Sequence, residues 1–153
     1  MDERAQFDQL KDDQPHEQRC FVFSCSKQTE AHCLENLLFG LPEHQFKEMQ
    51  KEIGEKTPLF LLNFETRVLF GMFRASGPVA LNIEPSAWSG KYPAQVQAVQ
   101  VLPMMGLQRT RLNEKELELP IKGSKLRPGH AYSKAVTRKL MMALPLYRFW
   151  GLY

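Results

Sequence analysis

Long apolar runs are missing from this 153-residue chain. The longest nearly uninterrupted ones, residues 58–62 and 141–146, fall far short of the roughly 20 residues that span a bilayer. No transmembrane segment is expected. The first residues, MDERAQFDQLKDD, are acidic and carry no apolar stretch, so no secretory signal is visible. The expected location is intracellular, either cytoplasmic or nuclear. Cysteine is scarce too: Cys20, Cys25 and Cys33 are an odd number packed into fourteen residues, a poor disulfide framework. Their spacing, even with His32 or His44 recruited, repeats no C-x-x-C pattern, so buried reduced thiols are expected and neither a metal nor another cofactor.

Catalytic patterns are also lacking. His16, His32, His44 and His130 are scattered, and none sits in a Ser/His/Asp, H-E-x-x-H or phosphate-loop arrangement. No catalytic residue is assigned, and a non-enzymatic protein is expected. There is no internal repeat.

What the chain does hold is apolar patterning and uneven charge. A hydrophobic content of 43% with ten Phe is that of an ordinary globular domain, and the length suits one. Residues 1–19 carry three basic and six acidic side chains and read as a disordered acidic tail; residues 20–153 read as a single domain. Residues 108–153 hold ten basic against three acidic side chains, a net +7. Arg109, Arg111, Lys122, Lys125, Arg127, Arg138 and Lys139 are therefore candidates to meet phosphates. The alternative is a solvated surface that keeps the domain soluble.

The element pattern begins at Cys20, where Phe21, Val22, Phe23 and Cys25 have strand character. Thr29 is placed to cap a helix through its hydroxyl, and Ala31, Leu34, Leu37, Leu38 and Leu41 keep helical spacing, with Gly40 as the stop. A second helix is expected over 43–53. TPLFLLNF reads as a central strand covered on both faces, turning at Glu65 and Thr66 into a returning strand with Gly71 inside it. An edge segment over 79–83, a strand over 94–102, another through Leu117, Leu119 and Ile121, and a helix over 133–144 complete the pattern. The final PLYRFWGLY is apolar but interrupted. The fold class is α+β: a mostly antiparallel, barrel-like sheet with flanking helices.

The wording of these segments resembles one family, the DCD (development and cell death) domain. The resemblance lies in Phe23 and Cys25 before Thr29, Cys33 and Leu34; then Phe39-Gly40-Leu41-Pro42, Pro58-Leu59-Phe60-Leu61 and Asn63-Phe64. Gly71, Phe73 and Ala75 follow, then Leu81-Asn82-Ile83, Pro85, Ala87 and Trp88, and Tyr92-Pro93-Ala94-Gln95-Val96. It covers about half the chain and fades beyond residue 100. Cys20 and Ser24 stand where the family favours glycine, Phe70 where it has histidine, and Arg74 where it has an acidic residue. The resemblance implies a role in development, stress or programmed cell death without an assigned reaction. Its order of strands also resembles PUA-like folds, which include modules that bind modified bases.

Two functions follow. The leading one is a non-enzymatic DCD-type interaction module with protein partners; the alternative is RNA binding through the basic C-terminal third. Phe21, Phe23, Phe39, Phe60, Phe64, Phe73 and Trp88 are expected in the core. Trp88 and Tyr92, flanking a turn, are the candidate ligand residues, since their rings can stack on a base or a methylated group. Asn63 and Gln95 are amides that either tie loops to backbone groups or read a ligand's polar edge.

Overall fold

The structure, a computed structural model, describes residues 15–147. The acidic tail up to residue 14 and the end of the apolar C-terminal segment, 148–153, lie outside the described residues. Pro15–Glu17 form a 3-10 turn whose Glu17 pairs with Arg138, and beyond it Arg19 pairs with Glu52.

Among the described residues, eight strands make one sheet: β1 (Cys20–Cys25), β2 (Leu38–Leu41), β3 (Leu59–Asn63), β4 (Val68–Ala75), β5 (Ala80–Leu81), β6 (Ala94–Gln100), β7 (Gln108–Arg111) and β8 (His130–Tyr132). Their order is β2-β6-β4-β3-β1-β8, with β5 on β6 and β7 on β4. β1 and β3 run parallel and every other pair is antiparallel. The helices are α1 (Glu30–Asn36), α2 (Phe46–Glu52), the single-turn α3 (Glu114–Leu117) and α4 (Lys134–Ala143). The result is the expected α+β class, with a mixed, mostly antiparallel half-barrel sheet and helices beside it.

Alternation along the strands builds a core on each face of the sheet. Phe21, Phe23 and Cys25 of β1, with Leu59 and Leu61 of β3, join Phe39, Met49, Phe70, Phe73 and Val96 on one face. Cys20 and Val22, with Phe60 and Leu62, join Val136, Leu140, Met141, Leu144 and Tyr147 on the other. β3 is buried along its whole length because it lies between two strands with both faces covered. Phe60 packs beneath Gly71, where a Cβ would stand 2.8 Å from its ring. The β3–β4 register shifts at this point, between Leu59 and Leu61, so the strand glycine marks a close approach as expected.

Four expectations give way. The first helix stops at Asn36, not Leu41: Leu37 turns left-handed at φ 47° and Leu38–Leu41 pair with β6. Gly40 is therefore a strand residue and not a helix stop. The alternating Leu117, Leu119 and Ile121 form no strand; Asn113 accepts the Glu116 N–H and starts α3 instead. β7, worded Gln-Arg-Thr-Arg, and the three-residue β8 carried no apolar signal and are both new. Phe64 is 51% exposed, since it follows the last paired residue of β3, and does not belong to the core. By contrast, Ser133 caps α4 through its hydroxyl on Val136 N–H, over the span expected.

Candidate nucleic-acid interface

Where β1 ends, the chain opens a cavity of about 310 Å³. One wall is the β1–α1 turn. Ser26 N–H donates to Thr29 Oγ1 at 2.9 Å, and Thr29 N–H donates to Ser26 Oγ at 3.3 Å. Thr29 sits at the helix start, as its position suggested, but its hydroxyl serves this turn and not the helix amides. Cys25 and Cys33 form the deeper wall. Burial pushes the Cys33 thiol up to about 12, and burial with the nearby Cys33 and Glu30 raises Cys25 further. Burial likewise raises Cys20, to about 11, but Cys20 lies on the opposite face of the sheet. The three thiols are free and buried, as expected, and the cavity wall is neutral at physiological pH.

Trp88 and Tyr92 enter from the loop between β5 and β6 and line the opposite side. Trp88 and Ser89 are both left-handed, at φ 51° and 54°, an unfavourable backbone for non-glycine residues that persists only when its surroundings enforce it. Gln95 supplies that enforcement. Its Oε1 accepts Glu84 N–H at 2.8 Å, and its Nε2 donates to Glu84 O and Tyr92 O at 3.2 and 3.0 Å. One buried amide thus closes the loop that carries Trp88. The indole meets the His32 ring edge-on at 5.2 Å and the Tyr92 ring at 5.8 Å. Its Nε1 and His32 Nδ1 are buried without a hydrogen-bond partner among the described residues. Beneath them lies Gly40, where a Cβ would stand 2.6 Å from Trp88 Cζ3 and 2.9 Å from Tyr92 O. Only glycine admits this packing.

Asn63 likewise serves a turn. Its Oδ1 accepts Glu65 and Thr66 N–H at 3.0 and 3.1 Å, and its Nδ2 donates to Glu30 at 3.1 Å. Neither amide candidate lines the cavity.

The basic candidates divide into three groups. Arg138 pairs with Glu17 at 3.1 Å, while Lys139 donates to Leu117 O at 2.6 Å and Glu118 O at 3.2 Å, covering the C-terminal carbonyls of α3. Their charges are already engaged. Arg109 and Arg111 take exposed positions on β7, with Arg109 over the Phe70 ring at 5.2 Å. Lys122, Lys125 and Arg127 gather with Ile121 and Tyr132 around a second cleft of about 190 Å³. Pro128 and Gly129, the next residues, line the cavity beside Trp88. Sequence reasoning found Trp88 and Tyr92 but missed His32 and the role of Gly40. The phrase Phe39-Gly40-Leu41-Pro42 held that signal, since a strand reading of it makes the glycine a contact and not a stop.

Among solved structures, the Mmi1 YTH domain complexed with RNA is 13% identical with a TM-score of 0.64, over 88% of this chain and 82% of that one. The Pho92 YTH domain in complex with m6A is 14% identical, TM-score 0.61, over 86% and 84%. The YTH domain of Zygosaccharomyces rouxii MRB1 in complex with N6-methyladenosine RNA is 13% identical, TM-score 0.63, over 88% and 90%. These likenesses show the fold, which is YTH-like. Sequence relatives are plant proteins. The DCD domain-containing protein NRP-B of Glycine max is 37% identical over 86 residues, 52% of this chain and 26% of that protein. The B2 protein of Daucus carota is 35% identical over 86 residues, 52% and 41%. The match thus spans less than half the length of either relative. Residues 19–124, well over half of the chain, match the development and cell death domain, and the chain belongs to that family.

Proposed function

We propose that this chain is a non-enzymatic RNA-binding module that takes one base of a single strand into the cavity beside Trp88. The observation that carries it is the placement of the Trp88 ring. A strained loop, an amide brace and a glycine floor hold a large, half-buried aromatic at the edge of one core, where it lines the cavity. At about 310 Å³ the cavity lies at the small end of ligand sites, a size for one flat ring system and not for a peptide segment. The YTH relatives in fold were solved with RNA or N6-methyladenosine, which supports the same ligand class. Membership of the development and cell death family supports a role for this binding in stress, development or programmed cell-death signalling.

Fluorescence anisotropy with a single-stranded RNA at about 50 mM salt tests this, because electrostatic binding is strongest at low salt. Wild type should bind, and Trp88→Ala should bind more weakly while keeping the circular dichroism spectrum of folded wild type. No binding by wild type would overturn it.

A protein partner is the second reading, favoured by one observation. Leu81 and Ile83 are each 40% exposed and Tyr92 37%, along the segments joined by Asn82 N–H to Pro93 O. Capture of the same proteins from lysate with and without nuclease would favour this reading over RNA.

A further inference from the structure

The second cleft lies beside the first, and one stretch of chain forms part of both. Lys125 is extended (φ −118°, ψ 123°), and Leu126 is buried. Lys125 and Arg127 therefore flank an anchored residue and, two positions apart, share one side. The anchor is unusually complete. Leu126 N–H donates to Glu114 Oε2 at 2.5 Å, and Leu126 O accepts from Arg67 Nη2 at 3.2 Å. The Tyr132 hydroxyl then donates to Arg127 O at 2.6 Å and accepts Arg127 N–H at 2.8 Å. Beyond Arg127, Gly129 N–H donates to Val22 O at 2.6 Å, and Gln45 Nε2 donates to Gly129 O at 2.8 Å. The backbone is thus held on both sides of the step from one cleft to the other, which fixes where the charged side chains emerge.

We infer that Lys122, Lys125 and Arg127 hold the phosphodiester groups of the RNA strand whose base occupies the cavity beside Trp88. The inference rests on the function proposed above. The second cleft is lined by three cations, a tyrosine and an isoleucine, with no acidic residue among the described ones. Its chemistry is that of a phosphate site, while the neutral cavity with its aromatic rings suits a base. Two Cα steps separate Arg127 from Gly129, a reach of at most about 7 Å. That is about two nucleotide steps at ~3.4 Å each along a stacked strand. Arg138 and Lys139 take no part, since their charges meet Glu17 and the end of α3.

Two probes separate this inference from the reading beneath it: the free nucleoside N6-methyladenosine, which has no phosphate, and a nine-nucleotide single-stranded RNA with that nucleoside at its centre. The full chain is titrated as wild type, as Trp88→Ala, and as the triple variant Lys122→Ala/Lys125→Ala/Arg127→Ala. The triple variant should leave nucleoside affinity unchanged and weaken the RNA. Its slope of log K against log[salt] should fall by about 0.7 for each phosphate that is no longer neutralised. Trp88→Ala should weaken both probes and leave the slope unchanged. The variant Lys47→Ala/Lys51→Ala, which removes exposed charge from α2, is the control and should alter neither. All three substituted side chains of the triple variant are exposed, so its melting temperature should match wild type; should it fall, the single Lys125→Gln replaces it. An unchanged RNA slope in the triple variant, or an equal drop in the control, would overturn the phosphate assignment while leaving the base site standing. Wild type that binds neither probe would overturn both.

Discussion

A methyl group at position 40 would stand 2.6 Å from Trp88 and 2.9 Å from the Tyr92 carbonyl, one a ring edge and the other backbone. Gly40→Ala must therefore push Trp88 out of its place, at a cost of about 1–3 kcal/mol for overpacking. The variant should fold, melt a few degrees lower and lose most of its RNA affinity; unchanged affinity would show that Trp88 is not part of the interface. The thiols make a second prediction. Cys20 and Cys33 sit at about 11 and about 12, against the ordinary 9.0. Above pH 9 the unfolded chain loses thiol protons that the native chain keeps, so stability should be whole below that point and fall as pH rises through 11 and 12. Urea unfolding at pH 8 and pH 10 checks this, the second midpoint lying lower. Native protein at pH 8 should react slowly with a thiol reagent and release three equivalents once unfolded. Residue-scale chemistry was only partly legible in the sequence. Trp88 and Tyr92 stood out beside a turn, but the contact between Gly40 and Trp88 joins residues nearly fifty positions apart, and no local pattern reports it.

Elements were legible where burial alone decides them. Phe21 to Cys25 and Leu59 to Asn63 are strands because both faces are covered, and their wording says so. Phe60→Ala should accordingly cost about 3–5 kcal/mol, measured by urea unfolding, because Phe60 is fully buried beneath Gly71. Elements became illegible where a distant partner overrides local spacing. Leu38 and Leu41 continue the helical pattern of Leu34, yet β6 offers them a ladder, and Leu37 turns left-handed to reach it. Gln108 to Arg111 form a strand only because β4 supplies hydrogen bonds along one edge. The left-handed residue at the end of α3 is another sequence surprise: Glu118 is exposed at φ 48°, a position that favours glycine. Glu118→Gly should raise stability by up to about 1 kcal/mol, the relief of backbone strain exceeding the added freedom of the unfolded chain. A melting temperature below that of wild type would contradict this.

At the scale of the whole molecule, the sheet is covered on both faces, and the loops gathered at the end of β1 line the cavity. The fold class and the family were readable from ordered short motifs, since both depend on core spacing. The basic excess of the last third was readable too, but its division was not. Arg138 and Lys139 are drawn into contacts with the turn before β1 and with α3, leaving Lys122, Lys125 and Arg127 beside the cavity. That a base of single-stranded RNA sits against Trp88 and Tyr92 is the central claim. Ultraviolet crosslinking of bound RNA, followed by tryptic peptide mapping, tests it most directly. Cleavage after Arg74, Lys91 and Arg109 places Trp88 and Tyr92 on the peptides 75–91 and 92–109. Adducts should concentrate on these two peptides and disappear from the first in Trp88→Ala. Adducts confined to other peptides, or no adduct at about 50 mM salt where electrostatic binding is strong, would contradict the claim.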